Sequence, residues 1–318
     1  MALRVVCAAA AAIATLLAQL PADAQDSLKL TVGQRGNWAT SVAEIGQRAG
    51  IFKKHGLELE LLYTQGSGET QQAVIAGSVD IGIAPGTMGA MSAFAKGAPV
   101  RIIGAETTGA SDIYWYVKAD SPIKSLKDFD GNTVAYSTNG ASTHMVVSAF
   151  KKERGLKLEP IATGGPIPTL TMVMSGQVDV GWGAPPDGLD QLDRGEIRTV
   201  ASGNDAMMFR DQTVRVNVVS VQTLATRRDA IERFVQAYRE SVRWLYTGDA
   251  PLKLYADWLG ISLAKARRTR DEFYPFQAVD PDRISGLDAI VQDAVSLKYL
   301  SAPLTQRQLE ELVVKFPP

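Results

Sequence analysis

The sequence predicts an α/β fold in which two similar lobes enclose a cleft. Between residues 28 and 104, short apolar strands alternate with helix-like segments, and glycine or proline marks the strand ends. The segment 76–82 (AGSVDIG) is echoed at 175–181 (SGQVDVG), so a helix, a glycine turn and an apolar strand recur in the same order. Two copies of this pattern indicate two lobes, because a solenoid needs more repeats.

The first 24 residues have the pattern of an export signal. Arg4 supplies a positive charge, an apolar alanine-rich run follows it, and Ala22 and Ala24 are the small residues of an A-x-A cleavage site. We therefore predict a signal peptide over residues 1–24, a mature chain that starts at Gln25, and a location in the periplasm. The alternative is an uncleaved membrane anchor.

Cysteine content and net charge exclude several kinds of site and partner. Cys7 is the only cysteine, and it falls inside the predicted signal, so the mature chain has no disulfide, thiolate nucleophile or cysteine-ligated metal. The net charge is −1 with both signs interspersed, and no basic run indicates nucleic-acid binding. We predict a monomer that binds neither nucleic acid nor a metal and needs no cofactor.

Catalytic motifs do not occur in the sequence, which contains no H-E-x-x-H, G-x-S-x-G or G-x-G-x-x-G. His55 lies in a charged turn, and only His144 stands beside a group of hydroxyl residues. A Ser/His pair with Ser142 or Ser137 would lack a nearby carboxylate to orient the imidazole. The sequence therefore predicts a binding protein and not an enzyme.

Two extended segments, 112–117 and 214–221, flank the second copy of the repeated pattern. We predict that they form two crossover strands that act as a hinge, although both could be ordinary edge strands. This assigns residues 25–117 and 214–318, with the C-terminal helices, to lobe 1 and residues 118–213 to lobe 2.

Ligands of open α/β sheets bind outside the carboxyl ends of the strands, so the loops at these ends form the candidate site. The planar guanidinium of Arg35 presents paired N–H donors that suit a carboxylate or sulfonate, and Trp38 presents a flat apolar face. Hydroxyl residues around the start of the helix near Ser142 indicate anion binding or a plain helix cap. The candidates from these loops are Arg35, Trp38, Ser67, Gly68, Thr87, Asn139, Ser142, Thr143, His144, Trp182 and Asp187.

The chain resembles the nitrate/sulfonate/taurine-type substrate-binding proteins of ABC importers. Three sequence segments in this order carry the resemblance: AGIFKKHGL at 49–57, AGSVDIG at 76–82 and DSPIKSLKDFDG at 120–131. The resemblance implies a fold like that of the type II periplasmic binding proteins, with two α/β lobes, two crossover strands and a ligand cleft between the lobes. It also implies a permease and its ATPase as partners. The family's binding positions map onto Asn37, Trp38, Ser67, Gly68, Thr87, residues 140–143, which include Gly140, and residues 182–187.

The family does not fix the ligand, because its members bind nitrate, sulfonates, pyrimidines and aromatic acids. From Arg35 and the helix starts we predict a small organic anion, a sulfonate or carboxylate. A neutral heteroaromatic such as a pyrimidine precursor is the alternative, and an enzyme on the same scaffold is a further one. Relatives that use a cysteine nucleophile are no guide here, since the predicted mature chain has no cysteine.

Overall fold

The computed structural model describes residues 25–317, and the predicted signal peptide with Cys7 lies outside them. Across these residues, no helix combines the length and the apolar character that a membrane span requires. The described chain passes through three successive groups of elements.

The first group is β1 (Asp26–Gly33), α1 (Val42–Arg48), α2 (Ile51–Lys54), β2 (Leu57–Thr64), α3 (Ser67–Ile75), β3 (Ile81–Gly86), α4 (Thr87–Ala95) and β4 (Val100–Thr108). The second is β5 (Tyr114–Lys118), β6 (Thr133–Tyr136), α5 (Ser142–Arg154), β7 (Glu159–Ala162), α6 (Pro166–Met174), β8 (Gly181–Gly183), α7 (Leu189–Asp193) and β9 (Ile197–Ser202). The third is β10 (Thr213–Ser220), α8 (Val221–Leu245), α9 (Ala250–Leu259), α10 (Leu263–Arg268), α11 (Leu287–Ser296) and α12 (Gln306–Leu312).

The sheet of the first lobe has five strands in the order β2-β1-β3-β10-β4. β1 runs parallel to β2 and β3, whereas β10 runs antiparallel to β3 and β4. Every residue of β3 and β10 is buried, as expected for central strands packed on both faces. Four of the five strands therefore run in the same direction, as the alternation of strands and helices predicts. β10 alone is reversed, because it enters the sheet on its return from the second lobe.

The sheet of the second lobe repeats this arrangement. β8, β5 and β9 form an antiparallel ladder, β6 and β7 pair in parallel, and a parallel bridge between Val134 and Val180 joins the two groups. The combined order, β7-β6-β8-β5-β9, matches the first sheet, with β5 in the place of β10. The predicted α/β fold of two similar lobes is therefore confirmed, and the helices before the echoed strands, α3 and α6, occupy equivalent positions.

The crossovers lie beside the extended segments that the sequence singled out. The chain leaves the first sheet at Thr108 and enters the second at Tyr114, then leaves the second at Ser202 and returns to the first at Thr213. Residues 114–117 thus pair inside the second sheet, because an apolar run does not reveal which sheet it will join. That the two lobes move about these connections stays a prediction.

The C-terminal helices cover the first lobe. The predicted helical spacing in α8 is confirmed, since Ile231, Phe234, Tyr238 and Val242 are all buried on one face. This face lies against α1 at close range: a Cβ atom added to Gly46 would stand 2.2 Å from Oγ of Ser241. The C-terminal helices therefore become part of the first lobe's core and reach the loops at the cleft.

Candidate ligand site

A small cavity of about 20 Å³ lies between the lobes, where the carboxyl ends of β1, β6 and β8 meet the first turns of α3 and α5. This is the position that the strand-end rule predicts. Both lobes, a crossover and β10 contribute to its wall, which is formed by Gly33, Gln34, Asn37, Thr40, Ser67, Ile113, Ser137, Ser142, Thr143, Trp182, Ala184 and Arg215.

The lobes touch each other around this cavity. The backbone N–H of Gly68 in the first lobe donates to Oγ1 of Thr138 in the second, at 3.1 Å. A Cβ atom added to Gly86 would stand 2.2 Å from the carbonyl oxygen of Gly140, so only glycine permits this approach of the two backbones. The structure is thus the closed arrangement of the two lobes.

Arg215 is the charged group of the cavity wall, and its guanidinium binds residues from three parts of the chain. Nε donates to Glu106 on β4 at 2.8 Å, Nη2 to Asp112 on the first crossover at 2.5 Å, and Nη1 to Ser142 on α5 at 3.2 Å. Burial works to lower the pKa of Arg215, but Asp112 and Glu106 outweigh it and raise the pKa above its ordinary value. The arginine is therefore a fixed cation held by two buried carboxylates.

The hydroxyl groups of the wall are mostly engaged with backbone or with each other. Oγ of Ser67 donates to the carbonyl oxygen of Ala84 at 2.8 Å. Oγ1 of Thr143 accepts from the backbone N–H of Ser137 at 2.9 Å and lies 2.9 Å from its hydroxyl oxygen. The first turns of α3 and α5 thus present fixed polar groups and partial positive charge to the cavity.

Trp182 differs from these residues because its polar atom has no partner. The side chain is 1% exposed, yet no group among residues 25–317 accepts a hydrogen bond from its Nε1. A buried N–H without a partner costs free energy, so Trp182 is a residue of the wall whose hydrogen-bonding capacity the described chain leaves unused.

Five of the residues predicted from the sequence come together at the cavity: Asn37, Ser67, Ser142, Thr143 and Trp182. Gly68, Asn139 and Gly140 lie beside it in the contact between the lobes. There the backbone N–H of Gly68 donates to Thr138, and Oδ1 of Asn139 accepts from the hydroxyl of Tyr136 at 2.8 Å.

Arg35, which was predicted to hold an acid group, and Trp38, whose flat face was predicted to contact the ligand, both lie elsewhere. Arg35 is directed outward, with its guanidinium carbon 4.6 Å from the ring centroid of Trp258 and Nη2 donating to that residue's carbonyl at 3.3 Å. Trp38 is buried in the first lobe, where its Nε1 donates to the hydroxyl of Tyr246 at 3.2 Å and its ring meets Tyr255 edge-on at 4.8 Å. The structure places neither side chain in the wall of the cavity.

Three further candidates also make contacts away from the cavity. The hydroxyl of Thr87 donates to the carbonyl of Thr213 at 2.6 Å. Nδ1 of His144 accepts from the hydroxyl of Tyr299 at 2.7 Å, and its ring stacks on Tyr136 at 4.6 Å. Asp187 lines an outer groove with Arg35, and burial raises the pKa of its carboxyl group to about 6.

Gln34, Thr40, Ser137 and Arg215 line the cavity but were not among the predicted binding residues. A signal for Arg215 is present in VRVNVVSV, because one charge within an apolar run that becomes a central strand must be buried and paired. Among the residues of the described chain, no cluster of side chains has the composition of a metal site.

Comparisons with known proteins identify the family of this chain. A family model described as NMT1/THI5 like matches residues 43–249, which is well over half of the chain. A Brucella abortus protein with the provisional name of binding protein is 30% identical over 154 residues, which are 47% of this chain and 46% of that protein. The match thus spans about half the length of this curated relative.

Three solved structures share the fold. The alkanesulfonate-binding protein SsuA from Xanthomonas axonopodis pv. citri, bound to MOPS, has a TM-score of 0.72 at 17% identity, over 92% of this chain and 99% of that chain. A Candida albicans protein with the periplasmic binding protein fold has a TM-score of 0.70 at 16% identity, over 92% and 97%. The desulfurization enzyme DSZB has a TM-score of 0.62 at 18% identity, over 92% and 97%. The fold is that of the periplasmic binding proteins, and the chain belongs to the NMT1/THI5-like family.

Proposed function

We propose that this protein is a periplasmic solute-binding protein that encloses a small organic molecule between its lobes and delivers it to the permease of an ABC importer. The observation that carries the proposal is a cavity between the lobes whose wall comes from both lobes and the crossover. At about 20 Å³ it has room for about one water molecule, so a bound solute would hold the lobes further apart and bridge the two walls. The family and the fold agree with this role.

The cavity favours a neutral heteroaromatic ligand over the anion that the sequence first indicated. Arg35, which was to hold the acid group, lies outside the cavity, and the charge of Arg215 is already matched by Glu106 and Asp112. The side chains of Arg215, Glu106 and Asp112 sum to −1, and the partial positive charge at the helix starts of α3 and α5 offsets part of it. Hydroxyl groups, an amide and the free Nε1 of Trp182 suit a planar molecule with ring nitrogens or carbonyls.

An enzyme on this scaffold finds less support. The hydroxyls of Ser137 and Ser142 face the cavity, but His144 makes its contacts with Tyr299 and Tyr136 and is absent from the cavity wall. Between residues 25 and 317, no imidazole therefore stands in the wall to accept a proton from either serine.

A melting screen of the purified protein tests the proposal. Pyrimidines and other neutral heteroaromatics are compared with taurine, alkanesulfonates, aromatic carboxylates and nitrate, and the recovered solute is checked by mass spectrometry. We expect a rise in melting temperature with a neutral heteroaromatic, which is recovered unchanged. A response only to anions would reject the ligand class, and chemical conversion of the solute would reject the binding role.

A further inference from the structure

We infer that Asp112 and Glu106 determine ligand selectivity without touching the ligand, because they hold Arg215 and so make the cavity reject anions. This rests on the proposed function and concerns two residues that lie behind the cavity wall. Arg215 is part of that wall, whereas neither carboxylate is. The two acids act on a bound molecule through space, by their own charge and by holding Arg215 in place.

The two ion pairs leave one nitrogen of the guanidinium, Nη1, without a carboxylate partner. Nε and Nη2 are each occupied by a carboxylate, and Nη1 is the atom that points across the lobe interface to Oγ of Ser142. Opening of the cleft breaks the bond to Ser142, because the two residues belong to different lobes. Nη1 then becomes the donor that an entering molecule meets.

The net charge of Arg215 and its two carboxylates decides which molecules bind to Nη1. One guanidinium and two carboxylates sum to −1, and all three side chains are at most 7% exposed, so water screens them little. A carboxylate or sulfonate at Nη1 would be attracted by one positive charge and repelled by two negative ones. A neutral carbonyl or ring nitrogen accepts the same hydrogen bond without that repulsion.

Structural pairing alone does not account for the second carboxylate. One acid would neutralise Arg215, yet both are buried, and Oε1 of Glu106 and Oδ1 of Asp112 have no hydrogen-bond partner within the described part of the chain. Burying a carboxylate oxygen without a donor costs free energy. Local arrangements that lower stability are expected at functional sites, and this one lies directly behind the cavity wall.

The test replaces one acid at a time by its isosteric amide and compares matched neutral and anionic probes. Asp112→Asn and Glu106→Gln each raise the charge of the cluster from −1 to 0 and keep an oxygen that can accept from Arg215. The probes are nicotinamide against nicotinate, benzamide against benzoate, and benzenesulfonamide against benzenesulfonate. Affinity is measured by calorimetry and melting shift, with folding checked by circular dichroism.

We expect the ratio of anion affinity to amide affinity to rise about tenfold or more in either variant. Asp249→Asn is the control, because Asp249 also pairs with an arginine, Arg267 at 2.7 Å, but lies in the C-terminal helices away from the cavity. That variant removes one negative charge and should leave the ratio unchanged.

The outcomes separate this inference from the proposed function. If both amide variants keep the wild-type ratio, or if no anion gains affinity in either, the inference is overturned even where the wild type binds a neutral solute. If one variant fails to fold, the other decides. A wild type that responds to no solute of any class in the melting screen would instead overturn the binding role itself.

Discussion

Arg215 and Ser142 belong to different lobes, and Nη1 of the arginine donates a hydrogen bond of 3.2 Å to Oγ of the serine. The same guanidinium binds Asp112 on the crossover, so one buried side chain connects the hinge region, the first sheet and the second lobe. The closed arrangement is therefore stabilised at the cavity itself, by a bond that cannot persist when the lobes separate.

Ser142→Ala should weaken solute binding by about tenfold, because a hydrogen bond to a charged group contributes about 1.5–3 kcal/mol and water replaces part of it. Calorimetry with the solute identified by the melting screen measures the change. Ser148→Ala is the control on the same helix, since its hydroxyl donates to the carbonyl of His144 at 2.8 Å and is not part of the cavity wall. Equal affinities of the two variants would mean that the bond to Arg215 contributes nothing to closure.

The fold was predictable because its signals are local. Apolar spacing in α8 and the echoed turn and strand at 76–82 and 175–181 depend only on neighbouring residues. The direction of β10 was not predictable, because it depends on the path of the chain through a whole second lobe.

The site was predictable only in part, for a related reason. The strand-end rule found Ser67, Ser142 and Trp182, because it concerns where a loop lies. It does not reveal that the side chains of Trp38 and Arg35 point away from this cavity, because the direction of a side chain depends on partners distant in sequence. Those partners, Tyr246 for Trp38 and Trp258 for Arg35, belong to the region of α8 and α9, about 200 residues later in the chain.

Trp182→Phe should lower solute affinity and leave stability unchanged or higher, since it removes a buried N–H that has no partner in residues 25–317. Trp115→Phe is the matched control in the same sheet, where Nε1 donates to the carbonyl of Ala135 at 2.9 Å. That variant should lose about 1 kcal/mol of unfolding free energy and keep its affinity. Urea unfolding measures the stability of each variant, and calorimetry measures its affinity for the solute. An unchanged affinity in Trp182→Phe would show that the indole N–H does not contact the solute.

Arg35→Ala should change solute affinity less than about twofold and cost less than about 1 kcal/mol of stability, because it loses only an outward contact with Trp258. Lys53→Ala serves as the comparison, as an exposed cation on α2. The sequence predicted that Arg35→Ala is the more damaging of the two for an anionic ligand. Titration that finds a large loss in Arg35→Ala alone would restore that prediction and count against a site centred on Arg215.

Acid should weaken the contact between α5 and the segment that follows α11. Burial lowers the pKa of His144 below its ordinary 6.5, and Nδ1 accepts from Tyr299 only while it is unprotonated. The unfolded chain then binds more protons than the folded one, so this residue's contribution is complete above pH 6.5 and falls as the pH drops below it. Asp187, with its pKa raised to about 6, has the opposite sign and stabilises the fold as the pH falls through that value.

His144→Asn separates the two contributions, because it keeps an acceptor near the position of Nδ1 and does not titrate. We expect the urea midpoint of the wild type to fall more steeply than that of the variant between about pH 7.5 and about pH 5. Asp187→Asn should steepen the fall. Parallel curves for the wild type and His144→Asn would show that the imidazole is not the titrating group.

Two ion pairs on the outer surface also join the lobes. Lys265 on α10 pairs with Asp190 on α7, and Arg268 pairs with Asp193 at 2.8 Å. Each exposed pair contributes only about 0.2–1 kcal/mol. An equilibrium between open and closed forms that lies within a few kcal/mol responds to such amounts, because 1.4 kcal/mol is a tenfold change.

The double variant Asp190→Asn, Asp193→Asn should therefore shift the unliganded protein toward the open form, seen as a larger radius of gyration in small-angle scattering. High salt should expand the wild type in the same way and leave the variant unaffected, since screening acts on the pairs that the variant lacks. Asp271→Asn is the control: its partner Arg270, at 2.6 Å, is the neighbouring residue, and the pair does not cross between lobes. A double variant as compact as the wild type at low salt would show that closure depends on the cavity contacts of Arg215 and not on these surface pairs.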